Sequence, residues 1–273
     1  MTNHAAAFHA LHESGCFVIP NPWDVGSARL LAQFGFRALA TTSSGFAWSV
    51  GLPDNAPSLE MTLAHLRSVC VAVDVPFSAD FTNGFASDPD TVAANVTAAA
   101  ATGIAGLSIE DASGDPAHPL FDFDLAVERV RAARSAIDRT GTRVLLTARS
   151  EGFLVGRPDL DETIRRLTAF AAAGADCLYA PGIRDEGAIA GIVAAVAPKP
   201  VNVLVGSDFT TVARLASLGV RRISVGGALA RAAWGGFLRA AREIADAGTF
   251  TALRDAVPFD EIDRAFRGSE PVG

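Results

Sequence analysis

The segment TTSSGFAWSVGLPD, Thr41–Asp54, separates two of the regular units from which this chain is built. It follows the apolar run Ala38–Ala40, which is typical of the end of a strand. The segment has neither the apolar stripe of a helix nor the alternation of a strand, so we expect a loop. Gly45 permits a close backbone approach or a positive φ. A loop of this length in a compact domain indicates a functional site.

Outward from this segment, short apolar runs alternate with longer amphipathic runs. The predicted strands are Phe17–Pro20, Arg37–Thr41, Pro76–Asp80, Gly106–Glu110, Arg143–Arg149, Cys177–Ala180, Val201–Val205 and Val220–Val225. They lack strict alternation, as expected for strands that are buried on both faces. Predicted helices follow them, and some begin after capping residues such as Asp24 and Ser58.

Eight strand–helix units predict an α/β fold of the (β/α)8 or TIM barrel type. A doubly wound nucleotide-binding sheet is disfavoured, because no GxGxxG motif follows the first strand. No linker divides the chain, so we expect one domain over residues 1–273. The last long helix is predicted over Gly227–Ala247. Residues 249–273 are expected to form a helical C-terminal tail whose end, Gly268–Gly273, is loose.

Composition limits the classes of partner. The formal net charge of −7 argues against nucleic acid as a main partner. Three cysteines, an odd number spaced far apart, fit a reducing cytoplasm better than a disulfide framework. We find no signal peptide, and no apolar run approaches the roughly 20 residues of a membrane span. The sequence therefore predicts a cytoplasmic protein that acts on a small molecule.

Polar residues follow several of the predicted strands, at the barrel end where such enzymes carry their active sites. The charged ones are Asp54, Asp80, Glu110 and Arg149. Converging carboxylates repel one another, so a hard divalent cation, Mg²⁺, is the expected counter-charge. Arg149 would then present a planar fork to a substrate carboxylate. Asn202, in the seventh strand, is a further candidate for substrate binding. Structural acids paired with surface Lys and Arg are the alternative.

Several short motifs occur together in one order along the chain. They are Ser43-Ser44-Gly45, Gly51-Leu52-Pro53-Asp54, Ala79-Asp80 with Gly84, Ile109-Glu110-Asp111, and Thr147-Ala148-Arg149. In this order they resemble the isocitrate lyase/phosphoenolpyruvate mutase superfamily, over nearly the whole chain. The resemblance implies a Mg²⁺-binding (β/α)8 barrel that makes or breaks C–C or P–C bonds beside a 2-oxo acid, through an enolate. It also implies a homo-oligomer, a dimer or tetramer, in which many members exchange the eighth helix.

The resemblance also implies roles for individual residues. Ser44, Gly45 and Phe46 would hold the substrate carboxylate and the 2-oxo oxygen. Asp54, Asp80 and Glu110 would surround the Mg²⁺, mainly through water. Arg149 would clamp a carboxylate and stabilise the enolate oxygen. Trp23 would line the pocket, or else act as a wedge under the first helix.

Three departures from the superfamily pattern stand out. Ser78 occupies the position we align with the first Asp of the usual Asp-x-Asp motif, which would weaken metal binding. The loop after the fourth strand, Asp111–Pro119, lacks the Cys that lyases of the superfamily carry there. It also lacks the Lys that lyases and mutases both carry in this loop. Its His118 is a candidate to protonate an enolate carbon, or else a solvent-facing loop residue. After the sixth strand, where lyases of the superfamily carry a Glu, this chain has Ala180-Pro181-Gly182.

Together these observations predict a Mg²⁺-assisted lyase that cleaves a C–C bond in a small 2-oxo or 2-hydroxy carboxylate through an enolate. It would resemble oxaloacetate decarboxylase or isocitrate lyase in its chemistry. Two alternatives stay open. One is an enzyme of the phosphonomutase or phosphonopyruvate hydrolase type, which acts on a P–C bond. The other is a binding protein that holds a 2-oxo acid without turning it over.

Overall fold

The computed structural model describes residues 4–267, and its centre is a sheet of eight parallel strands. The strands are β1 Phe17–Ile19, β2 Leu39–Ala40, β3 Phe77–Asp80, β4 Gly106–Glu110, β5 Leu145–Arg149, β6 Cys177–Tyr179, β7 Val201–Leu204 and β8 Arg222–Ser224. Their order is β1-β8-β7-β6-β5-β4-β3-β2, so the chain winds once around the sheet. The predicted (β/α)8 barrel is confirmed.

Between β1 and β2, the barrel is closed by isolated hydrogen bonds rather than by regular strand pairing. The Ala40 N–H donates to the Pro20 carbonyl at 3.1 Å. Asn21 strengthens the junction, because its Nδ2 donates to the Thr41 carbonyl at 2.9 Å. Its Oδ1 accepts from the backbone N–H groups of Val225 and Gly226 at 2.9 and 2.8 Å. One buried amide therefore ties the carboxyl ends of β1, β2 and β8 together.

Helices surround the barrel. They are α1 His4–Glu13, α2 Val25–Gln33, α3 Ser43–Ser49, α4 Leu59–Cys70, α5 Pro89–Ala100, α6 Phe123–Thr140, α7 Leu160–Ala172, α8 Glu186–Val196, α9 Val212–Ser217, α10 Ala228–Ala247 and α11 Phe259–Phe266. Asp24 caps α2 in a reciprocal box with Ser27, and Ser58 caps α4, as predicted. None of the helices within residues 4–267 is both long enough and apolar enough to cross a membrane.

Two helices differ from the sequence-based expectation. The expected loop at Thr41–Asp54 contains α3, which begins after the capping residue Thr42, so that expectation was wrong for Ser43–Ser49. The sequence also predicts a helix over Asp208–Ser217, whereas helix α9 begins at Val212, because the Thr211 side chain caps it. Seven- and six-residue helices carry too little apolar periodicity for a pattern to reveal their limits.

Helix α1 was not anticipated, and it closes the amino end of the barrel. Its Phe8 is fully buried against Gly106 of β4. A Cβ at Gly106 would lie 2.5 Å from the Phe8 ring, so this position needs glycine to admit the ring. The barrel is therefore blocked at its amino end, and access to its interior lies at the carboxyl ends of the strands.

Helix α10 makes little contact with its own barrel. Of its twenty described residues, only Ala230 is buried. The chain then continues through a 3-10 helix, Thr251–Asp255, to α11. Helix α11 packs on α2, where Gln33 Nε2 donates to the Ala265 carbonyl at 2.6 Å. The predicted loose end, Gly268–Gly273, lies outside the described residues.

Candidate active site

The carboxyl ends of β3, β4 and β5 bring three acids around one guanidinium. Arg149 ends β5, and the parallel register sets it beside Glu110 at the end of β4. Its Nη1 lies 2.7 Å from Asp80 Oδ1, its Nη2 lies 3.1 Å from Glu110 Oε2, and its Nε lies 2.8 Å from Glu151 Oε1. All four side chains are at most 19% exposed. We call Asp80, Glu110, Glu151 and Arg149 the acid cluster.

The acid cluster carries more negative charge than its single arginine neutralises. Burial is the largest cause that raises the pKa of Glu110 to about 8; the charges of Glu151 and Asp80 act in the same direction, and that of Arg149 opposes them. Burial likewise raises the pKa of Glu151, again against Arg149. A carboxyl group shifted in this direction is one whose ionised form lacks sufficient positive charge nearby. The mouth of the barrel is therefore poised to accept a cation.

A second ion pair fixes the position of Glu151. The buried Asp111 accepts the Glu151 backbone N–H on Oδ1 at 2.8 Å. Its Oδ2 pairs with Arg166 Nη1 of α7 at 3.1 Å, and Arg166 also donates to the Phe121 carbonyl at 3.0 Å. These bonds connect the loops after β4 and β5. They hold the loop that carries Glu151 against the acid cluster.

A cavity of about 300 Å³ borders two members of the acid cluster. Its lining residues come from the carboxyl ends of β2–β4, from α3 and from α4. They are Thr41, Thr42, Ser43, Phe46, Asn55, Pro57, Thr62, His65, Asp80, Thr82, Asn83, Phe85, Glu110, Ala112 and Gly114. This volume suits a small metabolite and is too small for a large cofactor. Ala112 and Gly114 belong to the loop after β4, so that loop forms part of the wall.

Helix α3 joins this cavity to the first strand–helix unit. Asp80 Oδ2 accepts the Ser43 backbone N–H at 2.9 Å, which anchors the start of α3 on the acid cluster. Phe46 is buried and lines the cavity. Gly45 lies behind it, where a Cβ would come within 2.9 Å of Trp23 Cβ. Of the residues expected to hold substrate here, Phe46 lines this cavity, whereas Ser44, Gly45 and Trp23 pack outside it.

Two further candidates stand apart from the acid cluster. Asp54 is exposed, with its Oδ1 accepting the Asn55 N–H at 2.9 Å. Partial burial of its carboxyl group raises its pKa, as does the charge of Asp80, whereas a hydrogen bond with the Ser43 side chain lowers it, so Asp54 lies at the rim of the site. His118 is 85% exposed beside Asp115 and lines a different cavity. The structure does not bring His118 to Asp80 and Glu110, because its loop turns that side chain towards α7.

Two other candidates lie below the mouth. Asn202 is 1% exposed, and both ends of its amide are hydrogen-bonded: Nδ2 donates to Ser224 Oγ and Oδ1 accepts from Arg222 Nε, both at 2.9 Å. It is therefore part of the barrel interior rather than of the cavity wall.

Ser78 is buried two residues before Asp80, beside Gly106 and above the Phe8 ring. Asp80 lines the cavity and Ser78 does not, so weaker metal binding caused by Ser78 stays a prediction.

The donors at the mouth fit a hard divalent cation. Asp80 and Glu110 supply carboxylate oxygens, and Ser43 and Thr82 add hydroxyls to the same cavity. Within residues 4–267, no three His, Cys, Asp or Glu side chains already form a metal-binding group. A cation would be held by the two carboxylates with water completing its coordination, which is a common arrangement for Mg²⁺. The raised pKa of Glu110 agrees with this donor set.

Sequence reasoning missed Glu151 and His65. Glu151 follows Arg149 by two residues, and this spacing past a strand end was a usable signal. His65 lies in the middle of α4, where it stacks on Phe46 with ring centroids 4.0 Å apart. No local pattern distinguishes such a histidine from an ordinary helical one, because its place in the cavity depends on how α4 packs.

Replacing Glu110 by glutamine should change how stability depends on pH. The folded-state pKa of about 8 exceeds the ordinary value of 4.5, so between these values the folded wild type binds more protons than the unfolded chain. Its free energy of unfolding therefore falls as pH rises through this window. In metal-free buffer, Glu110→Gln should melt close to wild type near about pH 5 and at a higher temperature near about pH 9. If wild type and Glu110→Gln had equal melting temperatures at the higher pH, ionisation of Glu110 would not destabilise the folded protein, which would contradict this prediction.

Comparisons with known proteins give a consistent result. The sequence model of the phosphoenolpyruvate phosphomutase family matches residues 8–245. The uncharacterized protein Rv1998c of Mycobacterium tuberculosis (strain ATCC 25618 / H37Rv) is 33% identical over 258 residues, which cover 94% of each chain. An oxaloacetate decarboxylase of Paraburkholderia xenovorans (strain LB400) is 31% identical over 196 residues, 68% of this chain and 63% of that protein. A Burkholderia cenocepacia J2315 structure, provisionally described as a lyase/mutase, has a TM-score of 0.94 and 51% identity, covering 97% of this chain and 96% of that one.

Proposed function

The chain belongs to the phosphoenolpyruvate phosphomutase family, within the isocitrate lyase/phosphoenolpyruvate mutase superfamily, and we propose that it is a Mg²⁺-assisted lyase. Its reaction is the cleavage of a C–C bond in a small 2-oxo or 2-hydroxy carboxylate, through an enolate. One observation carries this proposal: three acids, each at most 19% exposed, share one arginine at the border of a small cavity. The similarity to an oxaloacetate decarboxylase supports the reaction class.

The geometry supports electrostatic stabilisation of an enolate. In a 2-oxo acid such as oxaloacetate, the electron pair of the breaking C–C bond moves towards the 2-oxo oxygen as CO₂ leaves, so this oxygen becomes negatively charged. Mg²⁺ bound at Asp80 and Glu110 would supply a Lewis acid for that oxygen. Arg149 adds a fixed positive charge within hydrogen-bonding distance of both acids. The cavity walls, including Ala112 and Gly114, limit the water around the reacting atoms.

The test of this function is turnover with a panel of substrates. The protein is incubated with Mg²⁺ and with small 2-oxo and 2-hydroxy acids, including oxaloacetate, and products are identified by NMR. We expect C–C cleavage of at least one acid, lost when a chelator removes the metal. Cleavage of phosphonopyruvate alone would favour the P–C alternative. Saturable binding without product at any Mg²⁺ concentration would favour the non-catalytic alternative.

The exposed face of α10 supports a homo-oligomer. Large apolar side chains lie on this helix with a third or more of their surface exposed, among them Trp234, Phe237, Leu238 and Ile244. A helix that shows such a face to water normally has a partner. A second copy of this chain, with its α10 exchanged or packed alongside, would bury it. This arrangement is the one that the superfamily resemblance implies.

We therefore expect the wild type to be a dimer or a tetramer in solution. Phe237 is 59% exposed, so Phe237→Glu should not disturb the fold of one subunit. It should shift the molar mass measured by light scattering towards the monomer, because a buried unpaired carboxylate at the contact is unfavourable. The matched control is Phe34→Glu, which changes a 79% exposed phenylalanine at the end of α2. A monomeric wild type would contradict the proposed assembly.

A further inference from the structure

The loop that follows β3 has a backbone conformation that is unfavourable for its side chains. We call this segment, residues 81–88 between β3 and α5, the β3 loop. Thr82 and Phe85 adopt φ angles of 47° and 58°, and Gly84 between them adopts a φ of 75°. The left-handed region disfavours any residue with a Cβ, and a β-branched threonine there is an outlier. Such a conformation persists only where the surrounding structure holds it, and it clusters at ligand-binding sites.

The β3 loop forms part of the wall of the cavity of about 300 Å³. Thr82, Asn83 and Phe85 line this cavity together with Asp80 and Glu110. The Thr82 carbonyl also accepts the Glu110 backbone N–H at 3.0 Å, which joins the loop to the end of β4. The shape of the cavity beside the acid cluster therefore depends on a segment whose backbone is held in an unfavourable conformation.

A buried arginine of α6 holds the β3 loop in place. Arg129 is 1% exposed, and its Nη1 donates to the Ser87 carbonyl at 3.0 Å. The same nitrogen donates to the Ala86 carbonyl, and Nη2 donates to the Asn83 carbonyl. The guanidinium also lies over the Phe121 ring, with Cζ 3.9 Å from the ring centroid. One side chain therefore binds three main-chain carbonyls within five consecutive positions of the loop.

The acceptors of Arg129 favour a role in fixing the backbone. A buried guanidinium usually pairs with a carboxylate, whereas these three acceptors are main-chain carbonyls. Burial lowers the pKa of Arg129 to about 10, against the charges of Asp111 and Glu110, so the group is still charged near pH 7. Hydrogen bonds from a charged donor are stronger than those from a neutral one. Asn95 of α5 assists, because its Nδ2 donates to the Gly84 carbonyl at 2.8 Å.

From these contacts, and resting on the proposed function, we infer that Arg129 is a positioning residue for the active site. It keeps the β3 loop in the left-handed conformation that places Thr82, Asn83 and Phe85 on the cavity wall. Arg129 is not among the described residues that line the cavity, so it acts through the loop. Loss of its hydrogen bonds lets the loop relax towards ordinary φ values, which withdraws this part of the wall from a bound ligand.

The test measures ligand binding and loop motion in matched variants. Oxalate, a planar dianion that resembles the enolate of pyruvate, is titrated by calorimetry at saturating Mg²⁺ and at a temperature where every variant is folded. Arg129→Met removes the three hydrogen bonds, and we expect it to weaken oxalate binding about tenfold. Hydrogen exchange of the peptide that spans residues 81–88 should also become faster. The matched control is Arg134→Met on the same helix, which breaks an ion pair with Asp176 of 3.0 Å and should change neither quantity.

A second variant keeps the test decisive if Arg129→Met does not fold. Arg129→Lys retains the charge, but one ammonium cannot reproduce the fork that reaches three carbonyls, so both quantities should change in the same direction. Wild-type oxalate affinity or unchanged loop exchange in the Arg129 variants would overturn the inference and leave the lyase function standing. An equal loss of oxalate affinity in Arg134→Met would also overturn it, since the cause would then be a general loss of stability. Absence of Mg²⁺-dependent oxalate binding by the wild type would instead reject the proposed function, and the inference with it.

Discussion

Replacing Arg149 by alanine is expected to cause the largest loss of both activity and stability in this protein. The three guanidinium nitrogens of Arg149 contact Asp80, Glu110 and Glu151, one acid each. Its removal leaves three largely buried acids without the cation that they share. Breaking a buried ion pair by removing one partner typically costs about 3–5 kcal/mol of stability. Loss of a charge that stabilises the transition state should also lower kcat by about a hundredfold to a thousandfold.

The two effects can be separated with a conservative variant. Arg149→Lys keeps the positive charge, but a single ammonium cannot reproduce the planar fork that reaches three acids. It should recover most of the stability lost in Arg149→Ala and only part of the activity. Urea unfolding and steady-state kinetics on the same preparations measure the two quantities. An alanine variant with wild-type stability and turnover would show that Arg149 does not organise this site.

Replacing Asp80 by asparagine should have the second largest effect. Asp80 pairs with Arg149 at 2.7 Å, accepts the Ser43 N–H that anchors α3, and faces the cavity. Asparagine has nearly the same shape and can still accept the Ser43 bond, so the barrel should stay folded. It removes the charge that a divalent cation requires. We expect kcat/KM to fall by about a hundredfold or more, with weaker binding of Mg²⁺.

The matched control is Asp74→Asn. Asp74 is an 87% exposed acid that contacts only His4 in an ion pair among the described residues. Its replacement should change neither activity nor metal affinity, since an exposed pair of this kind contributes little. Calorimetric titration with Mg²⁺ compares the two variants directly. Wild-type metal affinity in Asp80→Asn would mean that the cation is bound elsewhere.

Much of the barrel was predictable because its signals are local. The eight apolar runs and the capping residues Asp24 and Ser58 can be read without any contact between distant parts of the chain. The acid cluster was predictable in part for a topological reason, since the carboxyl ends of parallel strands meet at one rim. Asp80, Glu110 and Arg149 followed from that rule, and the structure brings them into contact.

The rest of the site depends on information that the sequence does not carry locally. We expected Mg²⁺ to be the counter-charge of these acids and Arg149 to face the substrate, whereas in the structure Arg149 pairs with Asp80, Glu110 and Glu151. His118 and Asn202 were predicted as site residues because they are polar and lie near strand ends. The loop after β4 turns His118 towards solvent, and the side chains inside the barrel bury Asn202. Arg166 reaches Asp111 across fifty-five positions of sequence, a contact that only the packing of α7 creates.

The most direct test of the account is a crystal structure obtained with Mn²⁺, whose anomalous signal locates it, and a small 2-oxo acid. We expect one strong anomalous peak between the carboxylates of Asp80 and Glu110, with the 2-oxo oxygen of the ligand bound to the metal and its chain directed into the cavity. A metal or ligand bound at a different place, with the acid cluster still closed around Arg149, would contradict it.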